Sequence, residues 1–152
     1  MKTLYKIKKG LDLTLKGEAV LQLATAQMSG EYAVMPTDFP GIVPRPVVKE
    51  GDSVLAGQTL FVDKATERIH FVSPVSGTVV GVERGNRRKL LRFRIKANGT
   101  KEFKDFEVKD WANMSAEDAK VLLLQSGLFA FIRQRPYDVI ANPNDAPKAI
   151  FV

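Results

Sequence analysis

Short apolar runs, separated by glycine, proline and asparagine, make up most of the first hundred residues of the chain. Around residues 69–72 and 90–96 apolar and polar positions alternate, which is the period-two pattern of half-buried β-strands. A very short strand is also expected between the turns at Gly51 and Gly57. Besides the strands at residues 69–72 and 90–96, the pattern predicts strands at residues 5–8, 11–15, 19–24 and 78–82.

Proline and glycine mark the segments that join these strands. Four of the eight prolines fall within residues 35–46, where the missing N–H and fixed φ of proline disfavour both helix and central strand. This segment is therefore expected to be an extended connector. Tight turns are expected at Gly85-Asn86 and Asn98-Gly99.

The periodicity becomes helical after Ser115. Ser115 is a typical N-cap residue, carboxylates follow it in the first turn, and Gly127 is suited to a left-handed helix end. These features predict a helix over residues 116–126. Residues 128–133 are expected to form a second short helix or an extended arm, ended by Pro136, and residues 143–147 a loop. The final apolar residues, 149–152, begin like a buried strand, which indicates one part of a longer protein.

Composition limits the chemistry that these residues can carry. The chain has 152 residues, of which 45% are hydrophobic, and no apolar run approaches the roughly 20 residues that span a bilayer. It has no cysteine and one histidine, so within these residues there is no disulfide, thiolate nucleophile or iron–sulfur ligand set. We expect no catalytic and no metal-binding residues in the chain.

Positive charge is concentrated in one stretch. The formal net charge is +6, and residues 84–104 contain nine basic residues and one acid. Alternation with Phe93 and Ile95 predicts one apolar and one basic strand face. That face is either a solvated surface or a docking patch. The candidate partner-contact residues are Arg84, Arg87, Arg88, Lys89, Arg92, Arg94 and Lys96. Charge reversal at Arg87, Arg88 and Arg92 is expected to keep the fold and weaken assembly.

Two segments resemble the biotinyl/lipoyl-type barrel-sandwich hybrid. The first is V-K-E-G-D-x-V-x-x-G-x-x-L from Val48, and the second is S-P-V-S-G-T-V from Ser73. This resemblance implies a mainly β fold with a short α segment, in which residues 1–100 form the barrel-sandwich domain and residues 101–152 begin a small second α/β domain. The position of the carrier lysine in that family is Thr66 here, and Lys64 lies two residues earlier. Carrier function is therefore the weaker alternative, and a solvated Lys64 is preferred.

Ordered motifs along the whole chain resemble a second, more specific family. They are I-K-K-G-L-D-L from Ile7, G-D at Gly51, S-P-V-S-G-T-V from Ser73, R-G-N-R-R from Arg84 and R-Q-R-P from Arg133. Together they resemble the N-terminal part of the A component of sodium-translocating NADH:quinone oxidoreductases. The resemblance implies a non-redox peripheral subunit on the cytoplasmic side of a bacterial inner membrane. Such a component docks to the other subunits and associates with quinone, while NADH, flavins and iron–sulfur centres belong to its neighbours.

Two other classes of function remain as alternatives. A ferredoxin-linked, ion-pumping electron transport complex has a related barrel-sandwich subunit, but the opening from Lys9 to Leu13 disfavours it. A nucleic-acid-binding module would use the basic strand, yet exposed stacking aromatics are missing from it, so no nucleic-acid partner is expected. The sequence also lacks a dinucleotide fingerprint and a phosphate loop, so the chain alone should not oxidise NADH.

Three further features have structural and functional interpretations. His70 lacks a nearby catalytic or metal-binding partner in the sequence, so we expect a structural or surface role. Asp12 is interpreted as a turn-capping carboxylate rather than a subunit contact. The run of Phe129, Phe131 and Ile132 beside Arg133 and Arg135 is expected to pack in the core, with contact to a partner, a lipid or quinone as the alternative.

Overall fold

A computed structural model describes residues 10, 16–18, 20–25, 27–108, 110 and 112–150. The strands predicted at residues 5–8 and 11–15 lie outside the described residues, as does Asp12. The strand predicted at residues 19–24 is wrong for its described part, because residues 20–25 pair with no described strand and Val20, Leu21 and Leu23 are exposed. An apolar pattern alone does not supply the hydrogen-bonding neighbour that a strand requires.

Nine strands and one α-helix, with short 3₁₀ turns between some of them, make up the regular structure of the described residues. The elements are β1 (Glu31–Val34), β2 (Pro44–Pro46), β3 (Ser53–Val54), β4 (Thr59–Asp63), β5 (His70–Val72), β6 (Gly77–Arg84), β7 (Leu90–Ala97), α1 (Ala116–Gln125), β8 (Arg133–Gln134) and β9 (Val139–Ile140). The strands predicted at 69–72, 78–82 and 90–96, and the very short one between the glycine turns, are thus confirmed.

Two antiparallel sheets pack face to face. The first has the strand order β1-β7-β6-β3 and the second the order β2-β4-β5, while β8 and β9 form a separate pair. In the first sheet Phe93 and Ile95 of β7 point into the core, and the intervening residues point outward, as the alternation predicts. This arrangement confirms the mainly β fold class.

Aromatic rings fill the space between the sheets. Phe61 and Phe71 of the second sheet stack with their centroids 4.5 Å apart, and Phe61 also stacks on Phe93 of the first sheet at 5.0 Å. Phe39 meets the edge of this stack at 4.6 Å from Phe71. All three central rings are almost fully buried, so their burial is a principal contribution to holding the two sheets together.

The proline-rich segment is more structured than the connector that its sequence predicts. Residues Pro36–Asp38 form a 3₁₀ turn, and Pro44–Pro46 form strand β2. A proline strand is tolerated here because β2 lies at the edge of its sheet, where outward-facing N–H groups are not needed. Of its three residues only Arg45 has a backbone N–H.

The helix begins at the predicted residue, ends one residue earlier than predicted, and packs on the core between the two sheets. The Ser115 hydroxyl accepts a hydrogen bond from the Asp118 N–H, and Gly127 has a left-handed φ of 81°. A Cβ on Gly127 would lie 2.9 Å from the Val72 side chain, so glycine also permits the close approach to β5. Residues 128–133 combine both predicted alternatives, a 3₁₀ turn at Leu128–Phe131 followed by strand β8.

The carboxyl-terminal elements share the core of the barrel. Leu124, Phe129 and Ile140 belong to the same buried cluster as Phe61 and Phe71. The described residues thus show apolar contact across the predicted boundary between residues 100 and 101. The division into domains at residues 1–100 and 101–152 stays a prediction. No helix in the described part of the chain is long and apolar enough to cross a membrane.

Candidate functional site

The turn between β6 and β7 carries four of the predicted contact cations without an acid among them. We call Arg84, Arg87, Arg88 and Lys89 the basic turn. Its backbone is fixed by hydrogen bonds from Gly85 N–H to the Lys89 carbonyl and from Arg88 N–H to the Gly85 carbonyl. Within the described residues none of the four cations forms an ion pair. The basic turn is therefore a localised positive charge that other molecules can reach.

Backbone strain accompanies this charge. Arg87 and Arg88 both have positive φ values, 55° and 60°, although neither is glycine. Side chains in the left-handed region cost free energy, and residues held there are frequent at binding sites. The turn predicted at Gly85-Asn86 is present, and a hydrogen bond from the Lys89 N–H to the Asn86 carbonyl closes it.

A cleft of about 410 Å³ lies beside the basic turn. Its apolar wall comes from the proline-rich segment, including Phe39, Ile42 and Val43, together with Leu90 from β7. Arg84, Arg88 and Lys89 form its cationic rim. The cleft joins two segments that are more than forty residues apart in the sequence, so the local pattern around either segment did not predict it.

The Val43 backbone anchors the wall of the cleft. Its N–H donates to Asp63 Oδ1 at 3.1 Å, and its carbonyl accepts a hydrogen bond from the Lys64 N–H at 2.7 Å. The Val43 side chain itself is 57% exposed. The wall is thus held in place by its backbone while an apolar side chain faces solvent.

The remaining predicted cations lie along β7, where Arg92 and Arg94 form ion pairs within the first sheet. Glu83 of β6 lies 2.7 Å from Arg92 Nε and 3.0 Å from Arg94 Nε, and Arg94 Nη1 lies 3.1 Å from Glu31 of β1. Lys96 is in register opposite Glu31. Among the described residues, the predicted contact set therefore divides into the basic turn and Lys96, which form no ion pair, and Arg92 and Arg94, which do. Reversal at Arg92 would place a carboxylate beside Glu83, which makes Arg84 the better third position for a charge-reversal test.

The tip of the β4–β5 hairpin, where a carrier lysine would be expected, is occupied by a hydrogen-bond network. Buried Asp63 accepts hydrogen bonds from the Thr66 N–H at 3.0 Å and from the Thr66 hydroxyl at 2.9 Å. Lys64 is exposed beside it. Thr66 thus contributes to closing the hairpin, as a structural turn residue does.

His70 lies half-buried on β5. Its Nδ1 is 2.9 Å from the Thr59 hydroxyl, and burial, followed by the positive charge of Lys104, lowers its pKa below the usual value of 6.5. The imidazole is therefore neutral at pH 7. The described residues contain no group of three or more histidine, cysteine, aspartate or glutamate side chains that could hold a metal ion.

The amphipathic run after Gly127 is divided between core and solvent. Phe129 and Ala130 are buried, whereas the side chains of Leu128, Phe131 and Ile132 are 56%, 70% and 40% exposed. The core-packing interpretation thus holds for one side of the run. The other side leaves an exposed apolar surface.

Two stacked sheets of short strands, joined by glycine turns and sharing an aromatic core, define the barrel-sandwich hybrid class. Residues 5–98 match the NqrA N-terminal barrel-sandwich hybrid domain, and residues 114–152 match the NqrA second alpha/beta domain. The chain belongs to the NqrA family. The family and fold predicted from the sequence motifs are therefore confirmed.

Similar proteins are named as the A component of the Na(+)-translocating NADH-quinone reductase. The chain is 35% identical over 151 residues to that of Marinomonas sp. (strain MWYL1), covering 98% of this chain and 34% of the relative. It is 37% identical over 148 residues to that of Actinobacillus pleuropneumoniae serotype 5b (strain L20), with 96% and 33% covered. The chain spans about a third of the length of these relatives.

Proposed function

We propose that the chain belongs to a non-redox, peripheral subunit of a sodium-translocating NADH-quinone reductase. Family membership, together with the shared name of its relatives, is the observation that carries this proposal. In this function the subunit docks to the other subunits on the cytoplasmic side of a bacterial inner membrane. The NADH site, flavins and iron–sulfur centres would belong to those neighbours, since these residues include no cysteine to ligate a cluster.

The basic turn is the best candidate for the docking contact. Among the described residues its four cations form no ion pair and its backbone is fixed by hydrogen bonds, whereas Arg92 and Arg94 already have carboxylate partners. Unpaired surface charges steer association and select complementary faces, while charges already paired in the same chain contribute less to a partner.

Charge reversal tests this docking role in the complete complex. We expect the triple variant Arg84→Glu, Arg87→Glu, Arg88→Glu of the full-length subunit to keep its melting temperature and to co-purify about tenfold less with the other subunits. Affinity purification through a tag on one of those other subunits measures the loss. Salt of about 0.15 M, where the Debye length is about 8 Å, keeps contact pairs while screening distant charges.

The matched control reverses three exposed lysines elsewhere, Lys49, Lys101 and Lys148, and changes net charge equally. Equal co-purification of both triple variants would exclude the basic turn as the docking contact. Failure of the unmodified subunit to co-purify with any other subunit would overturn the proposed function itself.

The exposed apolar surface after Gly127 is the candidate for quinone association. Leu128, Phe131 and Ile132 present apolar side chains to solvent, and a quinone ring and its isoprenoid tail bind through such contacts. We expect Phe131→Ala to raise the KM for quinone of the complete complex about tenfold, because one large apolar contact contributes roughly 1.5–3 kcal/mol.

Phe103→Ala is the control for this variant, because Phe103 is also 70% exposed and lies on another segment. Steady-state NADH–quinone turnover against quinone concentration measures both variants, and co-purification should be unchanged in each. A KM for Phe131→Ala equal to that of Phe103→Ala would remove this surface from the proposal.

A further inference from the structure

We propose that the cleft beside the basic turn receives an acidic segment of a partner polypeptide, with an apolar side chain of that segment seated against the cleft wall. This inference rests on the proposed function and specifies the partner chemistry of its docking contact. It follows from the charge of the rim, the shape of the cleft and the backbone of its edge strand.

The charge of the rim selects an anionic partner. Arg84, Arg88 and Lys89 border the cleft, and none of them has a carboxylate partner in the described part of the chain. The Arg84 guanidinium lies 3.2 Å from the Arg88 carbonyl, which holds one rim cation close to the turn backbone. Aspartate and glutamate side chains are the peptide groups that pair with such a rim.

The shape of the cleft selects a side chain rather than a flat surface. Phe39, Ile42 and Leu90 lie inside a concavity of about 410 Å³, and the Phe39 ring is packed against the buried Phe71 ring. A bilayer surface is reached by convex apolar residues that insert into it, not by a recessed wall. A protruding leucine or aromatic side chain fits the recess.

The edge strand β2 excludes a second mode of binding, in which a partner peptide adds a strand to the sheet. Pro44 lines the cleft, and both Pro44 and Pro46 of β2 lack the N–H that an added strand would need. The partner is therefore recognised through its side chains. The cationic rim selects acidic residues, and the apolar wall of the cleft selects one apolar side chain. The partner is therefore an acidic segment that contains an apolar residue.

Site-specific photo-crosslinking in the assembled complex tests the inference. A benzophenone amino acid replaces Val43, whose side chain is 57% exposed at the cleft, in the full-length subunit. The control position is Thr78, which is exposed on β6 and six residues from Arg84, roughly 20 Å along the strand. Mass spectrometry of the cross-linked peptides identifies the occupant.

We expect the Val43 position to cross-link a segment of another subunit that contains several aspartate or glutamate residues around an apolar one. Arg88→Gln should reduce the yield about threefold, because the variant removes one charge-assisted contact at a solvent-exposed rim. Thr78 should not cross-link that segment, and Lys101→Gln should leave the Val43 yield unchanged.

Four outcomes would overturn the inference while the subunit still co-purifies with the complex. They are cross-linking to phospholipid or quinone only, to this chain itself, to a segment without acidic residues, or to nothing. In each case the proposed function stands and the cleft loses its assigned partner. Loss of co-purification for the unmodified protein would instead overturn both.

Discussion

Replacing Gly77 with alanine is expected to lower the free energy of unfolding by about 3 kcal/mol or more, the upper range for an overpacked interior site. An alanine Cβ at this position would overlap the Lys96 carbonyl oxygen and lie 2.8 Å from the carbonyl carbon. These neighbours are backbone atoms, so no side-chain rotation relieves the clash. The strands β6 and β7 must separate at the end where Gly77 is opposite Ala97.

Urea unfolding followed by circular dichroism measures this effect. Gly30→Ala is the matched control, because a Cβ at Gly30 would meet no atom of the described residues within 4 Å and its φ is not in the left-handed region. The control should change the free energy of unfolding by less than about 0.5 kcal/mol. Indistinguishable unfolding midpoints for the two variants would contradict the close packing of β6 on β7.

The requirement at Gly77 also explains why local sequence was informative about this part of the fold. The S-P-V-S-G-T-V motif from Ser73 has glycine at the one position where two strand backbones leave no space for a side chain. Ser115 and Gly127 mark the helix ends for comparable local reasons, a hydroxyl acceptor and a left-handed backbone. In each case one residue type in a short motif meets the requirement, even where, as at Gly77 and Gly127, the atoms that impose it lie on another strand.

The parts that sequence did not predict depend on partners distant in the chain. Alternation placed Arg92 and Arg94 on an outer face correctly, but their neutralisation depends on Glu31 and Glu83 from two other strands. The cleft likewise forms only where the proline-rich segment meets the basic turn. Charge counted along the sequence therefore overestimated the number of cations that are free for a partner.

Strand β2 is another feature that depends on a partner distant in the chain. The prolines of residues 35–46 argued against a central strand, and that argument is valid, since β2 lies at a sheet edge. Whether a proline-containing segment pairs at an edge is decided by the strand beside it, here β4. No pattern within the segment itself encodes that neighbour.

Replacing Phe61 with alanine is expected to lower the free energy of unfolding by about 3–5 kcal/mol, since a large buried ring would leave a cavity that its neighbours fill only partly. Phe61 is fully buried and is the ring that contacts both Phe71 and Phe93, so its loss separates the aromatic contacts of the two sheets.

Phe61→Leu should cost less than Phe61→Ala because it retains part of the buried volume, and Phe103→Ala, at an exposed position, should be nearly neutral. Urea midpoints of the three variants give the ranking, and a Phe61→Ala midpoint equal to that of Phe103→Ala would show that the stack does not hold the sheets together.

Because Phe39 contacts the stack on one side and lines the cleft on the other, loosening the core should also lower the Val43 cross-linking yield. Core packing and docking geometry are in this way linked through a single ring.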